Sequence, residues 1–262
     1  MPSRDIKKND TPGPHTGCRR IALPIRDLED PKGGAWKVTR LNWKKSDTHR
    51  VEGEDVIRVV YGKNSGTSQD PGVGGIDITS APKGFPCDAI VLGFDLFFCP
   101  GWDFARGGKL AGLTVGHGPS SGYQHSDTGA SHRIMWQTDG GAISYIYPPS
   151  NLPQEDPKLK AEGHGVGYFK DIFKSGTLKV NQWNHIEIGV KLNSFRGSKP
   201  NADGIASLTV NGKTGEVDNI RWRRSPDLDI TSFNIGSFFG GPTPAPKDCT
   251  AYFKNIEIFE WK

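Results

Sequence analysis

Hydrophobic and polar positions alternate over short stretches along most of the chain, which is the period-2 pattern of β-strands. Glycine, proline and asparagine punctuate these stretches, and no amphipathic helical pattern extends over about 12 residues. The pattern predicts roughly ten strands, of which the clearest are 55–62, 89–98, 107–116, 184–193, 206–220, 232–241 and 250–261.

Regular turn signals between these strands indicate antiparallel pairing. Asn211-Gly212 divides the stretch 206–220 and is a strong hairpin signal. Many short strands without helices are typical of an all-β fold, and we predict an antiparallel β-sandwich of jelly-roll type. We expect one sheet to curve, with a concave substrate-binding face.

The stretch 130–149, ASHRIMWQTDGGAISYIYPP, reads as a hairpin with unusual residues on one face. Successive strand residues point to opposite sides of a sheet. The core face is predicted to hold His132, Ile134 and Trp136 on the first strand, and Ala142, Ser144 and Ile146 on the second. The outward face then holds Ser131, Arg133, Met135, Gln137, Tyr145 and Tyr147.

The hairpin register depends on the length of its loop. A two-residue loop at Asp139-Gly140 would place outward Arg133 opposite core-facing Ile146, which would turn one strand inside out. We therefore predict a three-residue loop, 139–141, with glycine in the left-handed position. This loop makes Arg133 and Tyr147 cross-strand neighbours.

Composition agrees with a turn-rich domain and restricts the partners. The chain has 262 residues, with 34 glycines and 19 prolines. Lys and Arg total 33 against 29 Asp and Glu, and this small surplus is compatible with an anionic partner without requiring one. No run of about 18 apolar residues exists. We expect neither a nucleic-acid nor a membrane partner.

The chain divides into two parts by composition. Residues 1–32 are polar and have no apolar stretch that could serve as a secretion signal, so we interpret them as an N-terminal segment or a linker from a longer protein. Residues 33–262 are predicted to form one domain. The widely scattered cysteines include no Cys-x-x-Cys pair, so we expect no metal site and favour separate thiols over one or two disulfides.

The outward face of the hairpin combines a guanidinium, a serine hydroxyl and two phenols. Such a surface can bind an anion and exchange protons. Each residue also has an ordinary interpretation, because an arginine on a strand is usually a solvated cation and a tyrosine often covers its neighbours. Their joint position on neighbouring strands favours a functional site. The stretch GWDFARGGKLAGL, 101–113, adds Lys109 between glycines and a leucine.

Three motifs in order resemble polysaccharide lyase family 14, the alginate and glucuronan lyases of chlorella viruses and marine molluscs. The stretch 101–113 is similar to the family's F-D-W/F-x-x-G-G-K-L-P-G-L signature. The hairpin resembles S-x-R-L-M-W-R followed by Y-x-Y-x-P, and 237–259 resembles F-F-G-G, P-K-D and Y-F. The resemblance covers about residues 50–260. Ala111 replaces a proline, which we expect to change loop stiffness only, and Gln137 replaces an arginine, which removes a cation.

The resemblance implies a jelly-roll fold and β-elimination on a uronic-acid polymer, without metal or organic cofactor. Arg133 would neutralise the substrate carboxylate, with a supporting hydrogen bond from Ser131. Tyr145 and Tyr147 are candidates for the base and the acid. Lys109 would either lower the pKa of a tyrosine or neutralise the carboxylate itself. Which of these three residues is the base stays open.

Other residues are weaker candidates. We expect His117, on a glycine-rich loop, to line the cleft, although a solvated imidazole is the alternative. Arg58 is a candidate substrate contact or a cation at the rim. His132 and Trp102 are predicted to be structural, and Tyr123 could stack on sugar rings.

Two other classes of function compete with the lyase. A carbohydrate-binding or viral adhesion module on the same fold would need aromatic side chains but not the catalytic set. A glycoside hydrolase would need two carboxylates about 5–10 Å apart, and the nearest acidic motif is EIFE at 257–260. If the protein is viral, we expect it to be virion-associated or made at lysis, and to degrade the host algal cell wall.

Overall fold

The computed structural model describes residues 20–30, 34–66, 74–240 and 243–261. Within these ranges it contains seventeen strands and two short 3-10 turns, Ile25–Glu29 and Thr138–Gly140. The strands are β1 Arg20–Ala22, β2 Val38–Asn42, β3 Asp47–Val51, β4 Glu54–Tyr61, β5 Ile76–Ser80, β6 Ala89–Phe98, β7 Gly107–Gly116, β8 Gly129–Gln137, β9 Ala142–Tyr147, β10 Val166–Tyr168, β11 Trp183–Lys191, β12 Phe195–Arg196, β13 Lys199–Pro200, β14 Gly204–Val210, β15 Lys213–Ile220, β16 Ile230–Phe239 and β17 Cys249–Phe259.

Two antiparallel sheets make up the fold, which is the predicted all-β sandwich of jelly-roll type. The front sheet has seven strands in the order β10-β9-β8-β7-β16-β5-β2. The back sheet has eight strands in the order β15-β14-β11-β6-β17-β4-β3, with β1 also paired to β17. Strands β12 and β13 form a separate ladder. We call the side of the front sheet that faces away from the back sheet the open face.

Apolar side chains on the facing sides of the two sheets form the core. The strand β6 illustrates the alternation, with Leu92, Phe94, Leu96 and Phe98 all buried on one side. At one end, Trp102 packs with its ring centroid 4.6 Å from that of Phe98 and 5.4 Å from that of Phe239. The prediction that Trp102 is a core residue is confirmed.

The long strands agree with their predicted positions, and 89–98 and 107–116 agree at both ends. The sequence pattern missed seven short strands of two to five residues, β1, β2, β3, β5, β10, β12 and β13. The sandwich also begins earlier than the predicted boundary at residue 33. Strand β1 pairs with β17, and Leu23, Ile25 and Leu28 are buried in the core. Residues 1–19 and 31–33 lie outside the described ranges.

The predicted hairpin loop is right in length but wrong in position. The backbone N–H of Gln137 donates to the carbonyl of Gly141 at 2.8 Å, so the loop is Thr138–Gly140. It closes early because Asp139 and Gly140 both adopt positive φ, 55° and 77°. Arg133 therefore lies opposite Tyr145, and Tyr147 lies opposite Ser131. The register moves by an even number of residues, so every side chain keeps its predicted face.

Within the described ranges, no helix is long and apolar enough to cross a membrane. Cys87, Cys99 and Cys249 are free thiols, which confirms the favoured interpretation for these positions. Cys18 lies outside the described residues.

Candidate active site

A straight row of paired residues crosses all strands of the front sheet on its open face. The ladder registers place each member directly opposite the next. In order the row is Gly167 on β10, Tyr145 on β9, Arg133 on β8, Gly112 on β7, Asn234 on β16, Thr79 on β5 and Arg40 on β2.

Arg133 lies across the neighbouring strand instead of projecting from the sheet. A β-carbon at Gly112 would come within 2.7 Å of Arg133 Cγ, so only glycine leaves room for this arrangement. Arg133 Nη1 donates to Asn234 Oδ1 at 3.2 Å. Arg133 Nε is buried and finds no hydrogen-bond partner among the described residues. Burial lowers the pKa of the guanidinium, although such a group stays charged at physiological pH.

The side-chain amide of Asn234 forms hydrogen bonds through both its oxygen and its nitrogen, and the oxygen accepts from Arg133. Its Nδ2 donates to Asp77 Oδ1 at 2.9 Å and to the carbonyl of Ile78 at 3.0 Å. These bonds fix which end of the amide faces Arg133, because only the oxygen is left to accept. The sequence analysis missed both Asn234 and Asp77. The only local signal was a polar residue on the outward side of each strand.

A β-bulge brings Lys109 to the open face. Lys109 pairs with Met135 and Gly112 pairs with Arg133, so β7 carries one extra residue between these two pairs. Without that residue, positions 109 and 112 would face opposite sides. Leu110 and Ala111 fill the bulge and are buried. The position where the family signature has proline therefore lies within a strand, and the expectation that its replacement affects loop stiffness is wrong.

Aromatic rings surround the Lys109 ammonium. Its Nζ lies 5.9 Å from the ring centroid of Tyr145, 5.8 Å from that of Tyr147 and 5.7 Å from that of Phe238. No carboxylate of the described chain forms an ion pair with it. Burial, together with the nearby positive charge of Arg133, lowers the pKa of Lys109 to about 8. A substantial fraction of this amine is therefore neutral at mildly alkaline pH.

The two tyrosines meet edge to face, with ring centroids 5.5 Å apart. The backbone of Gly165 and the hydroxyl of Tyr147 both act electrostatically on the Tyr145 hydroxyl. Burial is the largest cause that raises the pKa of Tyr145 above its ordinary value, and the interaction with Tyr147 adds to it. The pKa of Tyr145 is thus raised although Lys109 lies beside its ring, because desolvation is the largest cause.

Two loops pack against the tyrosines. The His125 ring lies 5.1 Å from that of Tyr147 and approaches the carbonyls of Pro148 and Gly163, each at 3.3 Å. A β-carbon at Gly165 would come within 2.6 Å of the Tyr147 ring. The sequence analysis missed both residues, since neither their spacing nor their flanking pattern relates them to the hairpin.

The predicted binding residues are not all brought together. Ser131 lies beside Tyr147 but is fully buried, and its Oγ donates to the carbonyl of Ser120 at 2.6 Å. His117 follows the far end of β7, eight residues from Lys109 and thus about 25 Å along the strand. Arg58 lies on β4 of the back sheet, where its Nε donates to Asp47 Oδ1 at 2.9 Å.

His132 faces the core, as predicted. Its Nδ1 donates to the carbonyl of Gly189 on the back sheet at 3.0 Å, so Nε2 is left to accept from the hydroxyl of Ser144. Burial lowers its pKa to about 4, and the ring is neutral at physiological pH. Tyr123 is 64% exposed, and its ring stacks 4.1 Å from that of His164. In the part of the chain that the structure describes, no group of His, Cys, Asp and Glu is placed to hold a metal ion.

Known proteins resemble this chain in sequence and in fold. The sequence profile of polysaccharide lyase family 14 matches residues 49–256. The chain belongs to polysaccharide lyase family 14. This confirms the family predicted from the three motifs, and it favours a lyase over the binding-module, adhesion and hydrolase alternatives.

Two proteins of chlorella viruses are similar to this chain. Exolysin of Paramecium bursaria Chlorella virus 1 is 32% identical over 199 residues, which are 66% of this chain and 30% of exolysin. The chain thus spans under a third of that relative. The crystal structure of alginate lyase vAL-1 from Chlorella virus superposes with a TM-score of 0.88 at 48% identity, covering 92% of this chain and 99% of that one.

A more distant structure shares the fold of family 14. The marine alginate lyase from Aplysia kurodai superposes with a TM-score of 0.74 at 22% identity and covers 93% of this chain and 99% of that chain. This likeness supports the jelly-roll sandwich alone.

Proposed function

We propose that this chain cleaves a uronic-acid polymer by β-elimination on the open face of the front sheet. The observation that carries the proposal is the pair of cations, Lys109 and Arg133, beside two phenols that meet edge to face, with no carboxylate of the described chain in an ion pair with either cation. Such a surface attracts a carboxylate and can transfer protons next to it.

Arg133 is assigned to the substrate carboxylate. The C5 proton of a uronate is only weakly acidic, so its removal requires the adjacent carboxylate to be neutralised and the enolate-like intermediate to be stabilised. Asn234 and Gly112 hold the guanidinium flat against the sheet. Arg133 as a whole is only partly buried, so part of its side chain stays open to an incoming carboxylate.

The pKa shifts divide the proton transfers between Lys109 and Tyr145. The neutral Lys109 amine accepts the C5 proton, since its pKa is lowered to about 8. The C4–C5 double bond forms as the bond from C4 to the leaving O4 breaks. Tyr145 keeps its proton to high pH because its pKa is raised, so it donates that proton to O4. Transfer of the proton on Lys109 to the tyrosinate then restores the starting state.

Supporting roles are assigned to the remaining residues of the hairpin. Tyr147 orients Tyr145 through the edge-to-face contact of their rings. The Ser131 hydroxyl donates to the carbonyl of Ser120 and thereby connects β8 to the loop that contains Ser120. Ser131 would contact substrate only if that hydrogen bond broke. We assign no substrate contact to His117 or Arg58, because the fold places both away from the cluster.

The substrate class follows from the relatives. Two of the similar structures carry the name alginate lyase, and an endo-β-1,4-glucuronan lyase from Trichoderma reesei shares the fold at 11% identity. We propose an alginate-like or glucuronate polymer as the substrate. The viral relatives further suggest a wall-degrading activity that is virion-associated or expressed at lysis, with other domains attached as in a longer protein.

Incubation with polyglucuronate and with alginate tests the proposal. A lyase leaves a double bond conjugated to the carboxylate, so ultraviolet absorbance grows together with new reducing ends. New reducing ends without absorbance would indicate a hydrolase. Retention on a polyuronate column without either product would indicate a binding module, and both results would overturn the proposal.

A further inference from the structure

The row on the open face continues beyond Asn234 and ends in a second group of cations at the sheet edge. Arg40 lies on edge strand β2, opposite Thr79, and its side chain is 65% exposed. Its Nη2 forms a salt bridge of 2.7 Å with Asp77 Oδ2. Lys44 lies in the turn that follows β2 and is half-buried.

Within the described chain, cations outnumber acids at this edge. Asp77 is the carboxylate that acts on both Arg40 and Lys44, and it also receives the amide of Asn234. Burial lowers the pKa of Lys44, while Asp77 opposes this shift and Arg40 adds to it. Among the described residues, two cations therefore share one acid, which leaves room for a second carboxylate.

The spacing of the sheet relates this edge to Arg133. Four strand spacings separate β8 from β2 in the order β8-β7-β16-β5-β2. With strands about 4.8 Å apart, Arg40 lies about 19 Å from Arg133 along the row. A 1,4-linked sugar unit is about as long as one strand spacing, so a chain lying along the row would place about four units over this distance.

We propose that Arg40 and Lys44 form a distal subsite that binds the carboxylate of a uronate about four units from the one held by Arg133. The identity of the polymer rests on the proposed function. The row is continuous with the proposed catalytic cluster, and the edge carries the charge that a polyanion requires. Long chains would then bind more tightly than chains too short to reach β2.

A different role must be separated from this one. Arg40 also forms a salt bridge with Asp77. Asp77 accepts a hydrogen bond from Asn234, and Asn234 accepts one from Arg133, so these contacts form a relay from Arg40 to Arg133. If this relay positions Arg133, substitution of Arg40 would misplace Arg133 and slow the cleavage of every substrate. Loss of a distal subsite would instead spare a trisaccharide, which cannot span both positions.

The experiment compares Arg40→Gln/Lys44→Gln with the matched control Lys45→Gln, which removes an exposed lysine from the same turn. KM and kcat are measured on a uronate trisaccharide and a decasaccharide. We expect the double variant to raise KM for the decasaccharide roughly fivefold to tenfold with kcat retained, since it removes two cations and each exposed ion pair contributes up to about 1 kcal/mol. Its kinetics on the trisaccharide should match those of the control.

An equal loss on both substrates would assign Arg40 to the relay alone and overturn the subsite, and so would no loss on either. The parent protein gives a second measurement that does not depend on folding of the variant. Its preference for the decasaccharide over the trisaccharide should shrink as salt rises, because about 1 M salt screens charges beyond about 3 Å. A preference that is insensitive to salt would contradict the proposal.

Binding separates this inference from the proposed function. Titration calorimetry of the decasaccharide with Tyr145→Phe, alone and combined with the double substitution, measures affinity without turnover. If the parent makes no unsaturated product but the double substitution still weakens decasaccharide binding, the proposed function fails and the subsite stands. If product forms and affinity is unchanged, the subsite fails and the proposed function stands.

Discussion

The open face of the front sheet and the outer face of the back sheet carry similar residue types in different electrostatic settings. The back sheet also has a straight row across neighbouring strands: Trp183, Phe97, Tyr252, Arg58 and Asp47. There, Arg58 pairs with Asp47, and on a neighbouring pair of strands Lys254 pairs with Glu54. Lys109 and Arg133 on the open face have no paired carboxylate within the described chain.

The comparison shows that neighbouring charges, more than residue type, decide what a basic group can do. His185 on the back sheet lies between Asp95 and Glu187, and these hydrogen bonds raise its pKa to about 9 against the effect of burial. Lys109 is buried with no acid of the described chain paired to it, and its pKa falls to about 8. Arg58, Lys254 and His185 of the back sheet thus have acidic partners, whereas Lys109 and Arg133 of the open face have none among the described residues.

The largest expected effect separates the tyrosines of the two faces. Tyr145→Phe keeps the ring but removes the proton donor, so kcat on a polyuronate should fall about 10²- to 10⁴-fold. Tyr252→Phe, the matched change on the back sheet, should leave kcat unchanged. Circular dichroism checks that both variants fold. A Tyr145→Phe enzyme with the parent's kcat would assign proton donation to another residue.

The arginines give the next largest contrast. Arg133→Ala should lower kcat/KM about 10²- to 10³-fold, because it removes the group that stabilises developing negative charge. Arg58→Ala breaks a surface pair with Asp47 and should change kcat/KM little and stability by no more than about 1 kcal/mol. Equal activities for the two variants would remove the functional distinction between the faces.

The pH dependence of kcat/KM reports the ionisation of the free enzyme. If neutral Lys109 is the base, kcat/KM should rise about tenfold per pH unit below pH 8 and level off above it, since its pKa is about 8. The raised pKa of Tyr145 keeps the proton donor intact over this range. Lys109→Met should abolish the rising limb. A parent profile with its maximum in acid would exclude both assignments.

The smallest expected effect concerns stability and the back sheet. His185 has a folded-state pKa of about 9, above its ordinary value of 6.5, so its contribution is complete below pH 6.5 and disappears as pH rises through 9. His185→Gln should therefore destabilise the fold by about 1–2 kcal/mol at pH 6, after allowance for solvent screening, and by little at pH 10. Urea unfolding at the two pH values measures this. An equal loss at both would show that packing, not charge, is responsible.

Much of the site could be predicted from local pattern. Strand alternation has a period of two, so the sequence alone places Arg133, Tyr145 and Tyr147 on one face, and an error in the loop position left that face unchanged. Apolar spacing likewise predicts the long strands and the core positions of His132 and Trp102. Such properties depend on residues that are close in the chain.

Tertiary structure decided the rest. Arg58 and Arg133 both read as outward cations on strands, but only the order of strands in the sandwich places them on different sheets. Lys109 reaches the open face because β7 carries one more residue than the segment of β8 with which it pairs. Asn234 and Asp77 meet although they are 157 residues apart. A pattern within one strand determines the face of a side chain, whereas its partners and its pKa depend on strands that fold beside it from distant parts of the chain.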